Sequence, residues 1–189
     1  MSSGKSETNP VPEMSDETAL MEAVSVIQEL LRSKDALSAS QLARAVAREQ
    51  RASVLSPREK IRILIKAATV DLETRQFEVA IYEALDKIVN ESTFMRGFME
   101  EYVVVCLEEA VAGTGKGGGV QFVSHLKACY EEDILTQETI VAWWTGSTTR
   151  CEPLVDASVR RRLRRLSKPL VEWLAREDEE GSGSSDGEN

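Results

Sequence analysis

An all-α fold is predicted by three observations. Apolar residues recur at helical spacing in about eight segments, no segment alternates apolar and polar residues over a useful length, and the punctuation between segments is helix-cap chemistry. Residues 1–14, polar and broken by Pro10 and Pro12, cannot bury enough apolar surface and are expected to be disordered. Ser15 is placed to cap a first helix, with Asp16 and Glu17 in its positive first turn and Leu20, Val24, Ile27, Leu30 and Leu31 forming its stripe to about residue 33. A second helix is expected over residues 39–48, with Leu42 and Val46 inward.

Ser56-Pro57-Arg58-Glu59 has the spacing of a capping box, which predicts a third helix carrying Ile61, Leu64, Ile65 and Ala68. A fourth follows over residues 74–89, with Val79, Tyr82, Leu85 and Val89 inward. A fifth covers residues 93–111, with Phe94, Phe98, Tyr102, Val105 and Leu107. The glycine-rich stretch 113–119 offers backbone donors and Lys116, but it lacks the G-x-x-x-x-G-K-[ST] spacing of a phosphate loop and follows a helix, so a flexible connection is expected. Val123, Leu126 and Tyr130 define a sixth helix over 120–131. Thr136 caps a seventh over 137–145, which Gly146 ends. Asp156 caps a single last helix running to about residue 179, and residues 181–189 form a disordered acidic tail, leaving residues 15–180 as one helical domain.

Composition excludes several function classes. No apolar run approaches the ~18 residues that span a bilayer, and the opening Met-Ser-Ser-Gly-Lys lacks the apolar core of a signal peptide, so a cytosolic protein without membrane contact is expected. Three widely spaced cysteines and one histidine do not make a zinc pattern; Cys106 and Cys129 read as small buried hydrophobes, and a nucleophile pair of His125 and Cys129 lacks an oxyanion site nearby. Runs of adjacent exposed acids offer no pocket in which carboxylate pKa values could be split, so neither an enzyme nor a cofactor is expected. A net charge of −9 repels nucleic acid and favours basic partners.

The candidate site lies where large rings adjoin carboxylates. All three tryptophans fall between residues 126 and 180. In one piece Tyr130, Glu131, Glu132 and Asp133 lead to Trp143 and Trp144, which are neighbours in sequence and so point about 100° apart on a helix, leaving one at least half exposed. In the other, Glu172 and Trp173 lead to Glu177, Asp178, Glu179 and Glu180; Trp173 also fits a core stripe with Val159, Leu163, Leu166, Leu170 and Leu174. Both acid clusters sit at helix C-termini, where the macrodipole disfavours negative charge by ~0.3–1 kcal/mol per group. A basic partner would relieve that cost. Arg160, Arg164 and Lys168 are expected to line one exposed face of the last helix, and Arg161 and Arg165 another. They form either a second surface, for an acidic protein segment or for RNA phosphates, or a solvated face of weak ion pairs.

The motifs Tyr-Glu-Glu-Asp-Ile-Leu at 130–135, Glu-Thr-Ile-Val-Ala-Trp-Trp at 138–144 and Lys-Pro-Leu-Val-Glu-Trp-Leu at 168–174 before an acidic run resemble the W2 domain. That domain closes translation initiation factor five, the epsilon subunit of the exchange factor for initiation factor two, and some large scaffold proteins of initiation. The resemblance implies stacked antiparallel helical hairpins of the HEAT kind. It also implies a cytoplasmic adapter whose two aromatic-acidic boxes bind the lysine-rich segment of the beta subunit of initiation factor two, together with other initiation factors of the preinitiation complex. The box residues carried over are Tyr130, Glu131, Glu132, Asp133, Trp143 and Trp144, then Glu172, Trp173, Glu177, Asp178, Glu179 and Glu180. The Trp143-Trp144 pair also resembles the exchange-factor epsilon subunit, which implies nucleotide exchange on initiation factor two as the alternative; a scaffold module for another basic peptide is a third. The zinc-binding, GTPase-activating half of initiation factor five has no counterpart here.

Overall fold

The structure, a computed structural model, describes residues 16–33, 37–69, 79–91, 93–112, 118–147 and 150–181, and for Phe94 and residues 177–181 it describes the backbone only. The expected disordered ends, the Ser15 cap, the start of the fourth helix at residue 74 and the glycine loop 113–117 lie outside the described residues. Among the described residues there are nine α-helices and no strands. They are α1 (Asp16–Arg32), α2 (Ala39–Ala52), α3 (Glu59–Thr69), α4 (Val79–Val89), α5 (Arg96–Ala112, preceded by the 3-10 turn Thr93–Met95), α6 (Gly118–Glu131), α7 (Gln137–Thr145), α8 (Ala157–Leu166) and α9 (Lys168–Gly181).

Short connections fold successive helices back on one another, and helices two apart in sequence pack side by side: α1 on α3, α3 on α5, α5 on α7 and α7 on α9 in one layer, α2 on α4 and α6 on α8 in the other. This is the two-layer stack of helical hairpins that the resemblance implies. The stripes meet in one continuous core, from Leu20, Val24 and Ile27 through Leu42, Leu64 and Leu85 to Phe122, Leu163 and Leu174. Burying each such side chain contributes roughly 1.5–3 kcal/mol. The central helix α5 is covered on nearly all sides, with residues 100–108 all buried. At one edge Arg62 ties three helices together through Glu109, 2.7 Å away, and Glu17, 3.1 Å away.

Cap chemistry decides several boundaries. Ser38 and Gln41 form a reciprocal capping box at α2. Thr136 accepts from the Thr139 amide at α7, and Gly146 ends that helix at φ 86°, as the sequence predicts. The expected box at Ser56 does not form, and α3 starts at Glu59 instead of Pro57. The Glu59 carboxylate accepts the Tyr102 hydroxyl at 2.7 Å, because a ring that is only 3% exposed needs an acceptor for its O–H more than a solvated helix end needs a cap. The expected single last helix is two: Pro169 has no N–H for the Arg165 carbonyl, so the chain breaks at Ser167, which accepts from the Val171 amide to begin α9. Val79, expected inward, is exposed at the start of α4.

Cys106 and Cys129 are buried free thiols, as expected. Burial pushes the Cys129 thiol up to about 12 and the His125 imidazole down to about 4, with the His125 Nδ1 3.0 Å from the Tyr82 hydroxyl, so this pair is set in the core and not activated.

Candidate docking site

The site is built at the C-terminus of α6. Ile134 donates its amide to the Cys129 carbonyl at 2.8 Å and Asp133 to Tyr130 at 3.1 Å, the paired bonds of a Schellman ending. That ending requires a left-handed residue at position 133, and Asp133 supplies it with φ 56°. Ile134 and Leu135 then turn into the core, which pins the loop and leaves Glu131, Glu132 and Asp133 exposed. From below, the Arg96 guanidinium donates to the Asp133 carbonyl at 2.8 Å and to Glu100 at 2.9 Å.

Glu100 anchors the next helix. Buried beneath the loop, it accepts the Thr136 amide at 3.0 Å and the Thr136 and Thr139 hydroxyls at 2.7 Å each. Burial alone would raise its pKa, but the bonds from Thr139, Thr136 and Arg96 outweigh burial and hold it below the ordinary carboxylate value. The acidic loop therefore sits on a rigid base.

Beside the loop the two aromatic-acidic pieces meet. The Tyr130 ring stands edge-on to the half-buried Trp173 at 5.8 Å, and the Lys127 ammonium lies 5.3 Å above the Trp173 ring while pairing with Glu131. Glu172, exposed on α9, is 3.4 Å from Lys168. Among the described residues, no cation lies in ion-pair contact with Glu132 or Asp133. With Arg96 matched by the Glu100 it pairs with, the three exposed carboxylates face one lysine, Lys127, and this helix end carries an excess of two negative charges. Lys127 was not among the expected site residues, although its position four before Glu131 is a sequence signal for an ion pair. The side chains of Glu177, Asp178, Glu179 and Glu180 lie outside the described residues, while their backbone continues α9.

Other expected site residues are placed elsewhere. Trp143 is 2% exposed and belongs to the core: its indole N–H donates to Glu108 at 2.8 Å, Phe122 packs 5.2 Å away, and the Arg164 guanidinium lies 5.8 Å from its ring centre. The half-buried Trp144 donates its N–H to the Arg164 carbonyl at 2.9 Å, fastening α7 to α8. Neither indole N–H is open to a partner. The expected basic face formed by Arg160, Arg164 and Lys168 is also corrected. Arg160 turns inward to Glu108 at 3.1 Å, Arg164 covers Trp143, and Lys168 falls beyond the break at Ser167. On α8 Arg161, Arg162 and Arg165 are the exposed cations.

The site is thus an acidic helix end, braced from beneath and flanked by a tyrosine set edge-on to a tryptophan, on a two-layer helical stack. Residues 97–184 match the W2 family model, described as eIF4-gamma/eIF5/eIF2-epsilon. The fold is similar to that of a solved structure described as the C-terminal domain of translation initiation factor 5 at low pH, with a TM-score of 0.63 and 20% identity, over 89% of this chain and 97% of that one. At that identity the likeness concerns the fold alone. No curated protein sequence matches the chain. Among the described residues no helix is long and apolar enough to cross a membrane.

Proposed function

We propose that this chain is a non-enzymatic adapter of translation initiation whose acidic face binds the lysine-rich segment of the beta subunit of initiation factor two. The observation that carries the reading is the pair of uncompensated carboxylates at the α6 end beside Trp173. Lys127 indicates how an incoming lysine is received, because its ammonium already uses both the Trp173 ring face and a carboxylate. The incoming ammonium groups take Glu132 and Asp133 or displace Lys127, while the carboxylates speed encounter and the rings give the contact its shape. In sequence, Glu177, Asp178, Glu179 and Glu180 add four more acids to α9.

A peptide copying a lysine block, titrated at low and at high salt, tests this. Binding is expected at low salt and is expected to weaken as salt rises, because the Debye length shrinks from about 30 Å at 0.01 M to about 3 Å at 1 M. Replacing Glu131, Glu132 and Asp133 together by Ala is expected to weaken binding by about threefold to a hundredfold, since exposed pairs contribute about 0.2–1 kcal/mol each and act together. No binding at low salt discards the adapter reading.

A further inference from the structure

The acidic loop uses one face of the N-terminal turn of α5, through Arg96 and Glu100. A different face, Met95, Phe98 and Met99 at i, i+3 and i+4, lines an open cavity of about 480 Å³ together with Pro57 and Ile88. That volume falls in the range of ~300–1,000 Å³ found for ligand sites. Its wall is almost entirely carbon, and Met95 stands 41% exposed at its edge. Unbranched methionine side chains repack around guests of different shape, which suits a site for a side chain more than a rigid cofactor slot.

The charges at the rim narrow the guest. Lys60 and Glu91 pair with each other and cancel. Arg58 is the remaining cation of the lining: it is half exposed and 5.2 Å from the Tyr102 ring centre, and its ion-pair partner at 3.4 Å, Glu59, is largely buried and outside the lining, so the guanidinium is the group presented at the rim. On a chain of net charge −9, this opening therefore carries a cation. Two residues before the lining begins at Ser56, Val54 adopts φ 54° and is 91% exposed, while the buried Gln50 amide donates to the Leu55 carbonyl and holds the turn. A β-branched residue in the left-handed region costs about 1–3 kcal/mol and persists only where its surroundings impose it. The turn that leads into the lining thus displays an apolar side chain to solvent.

We propose that this cavity receives an apolar anchor side chain from a partner protein segment that carries a carboxylate next to the anchor. The anchor sits among Met95, Phe98 and Met99, and the carboxylate meets Arg58. The two faces of the α5 N-terminus then select opposite partners, a basic segment on the α6 loop and an acidic, apolar segment here. This inference does not depend on the lysine-block reading.

Short fluorescein-labelled peptides test it, each with Leu, Ile, Phe or Met as anchor between glutamates, alongside versions with Gln for Glu and with Ala for the anchor. Saturable binding of at least one Glu-flanked peptide is expected, with a loss of about tenfold or more on changing its anchor to Ala. Met95→Glu, a change at a partly exposed position, is expected to cost about tenfold as well, while a lysine-block peptide binds that variant as it binds the parent; equal melting temperatures confirm that the fold is kept. Arg58→Gln is expected to weaken the Glu-flanked peptide several-fold and leave the Gln-flanked one unchanged, and Arg58→Lys to recover part of the loss. Absence of saturable binding by every Glu-flanked peptide, unchanged affinity in Met95→Glu, or equal affinity of the parent protein for Glu- and Gln-flanked peptides overturns the proposal.

Discussion

Trp143 and Trp173 are each accompanied by a glutamate and a cation, and the two clusters have opposite fates. Around Trp143 one oxygen of the fully buried Glu108 takes both the indole N–H and the Arg160 guanidinium, and Arg164 covers the ring. Around Trp173 the ring is only partly buried, Lys127 meets Glu131, and Glu132 and Asp133 have no cation in ion-pair contact among the described residues. The inner cluster is closed because its cations reach its acid; the outer one is open because its acids outnumber its cations. Residue types alone do not separate a core from a landing site. Local charge balance does.

The largest expected effect tests that contrast directly. Trp143→Ala opens a cavity in packed core and removes the bond that Glu108 makes to the indole, so a loss of about 3–5 kcal/mol in urea denaturation is expected. Trp173→Ala, at a half-buried ring, is expected to cost less than half as much and to weaken lysine-block binding instead. Equal losses of stability would erase the distinction between the two clusters.

A second effect, read as pH dependence, sharpens the comparison along α5. Burial raises the pKa of Glu108 above the ordinary 4.5 despite the opposing bonds from Trp143 and Arg160. A carboxyl with a raised folded-state value contributes stability that is full below 4.5 and is lost as pH rises through the raised value. Glu100, held below 4.5 by Thr139, Thr136 and Arg96 against its own burial, contributes stability that is present above 4.5 and is lost as pH falls through the depressed value. Melting temperatures across the acid range should therefore show the parent losing ground to Glu108→Gln as pH rises above about 4.5. They should show it losing ground to Glu100→Gln as pH falls below about 4.5. Parallel curves for the parent and Glu108→Gln would mean that the inner cluster is not under electrostatic tension.

What was legible in the sequence follows the same division between local and distant causes. The stripe of Leu20, Val24 and Ile27, the Thr136 cap and the Gly146 stop act within a few residues, so spacing reveals them. The acidic end of α6 was legible because carboxylates at a helix C-terminus are recognisable wherever the helix goes. The Ser56 box was not, because Glu59 is claimed by Tyr102, 43 residues away. Spacing placed Arg160 and Arg164 on one face but could not say that the face turns inward to Glu108, 52 residues from Arg160. The break at Ser167 could have been read from Pro169; the uninterrupted stripe of Leu163, Leu166 and Leu170 masked it.

The smallest expected effect concerns a single backbone angle in the outer cluster. Asp133 occupies the left-handed position of the α6 ending, where glycine pays no steric cost and aspartate does, and it also places a carboxylate against the negative end of the helix dipole. Asp133→Gly removes both penalties, while the Arg96 bond to the backbone carbonyl at this position is kept. The greater freedom of glycine in the unfolded chain offsets part of the gain, so a net stabilisation of about 0.5–1 kcal/mol is expected. Asp133→Ala removes the charge but keeps the strained angle, and is expected to be less stable than Asp133→Gly while losing as much affinity for a lysine block. If both variants bind as the parent does, aspartate at this turn is not there for a partner. If Asp133→Gly melts below the parent, the side chain supports the loop in a way that the backbone bonds alone do not explain.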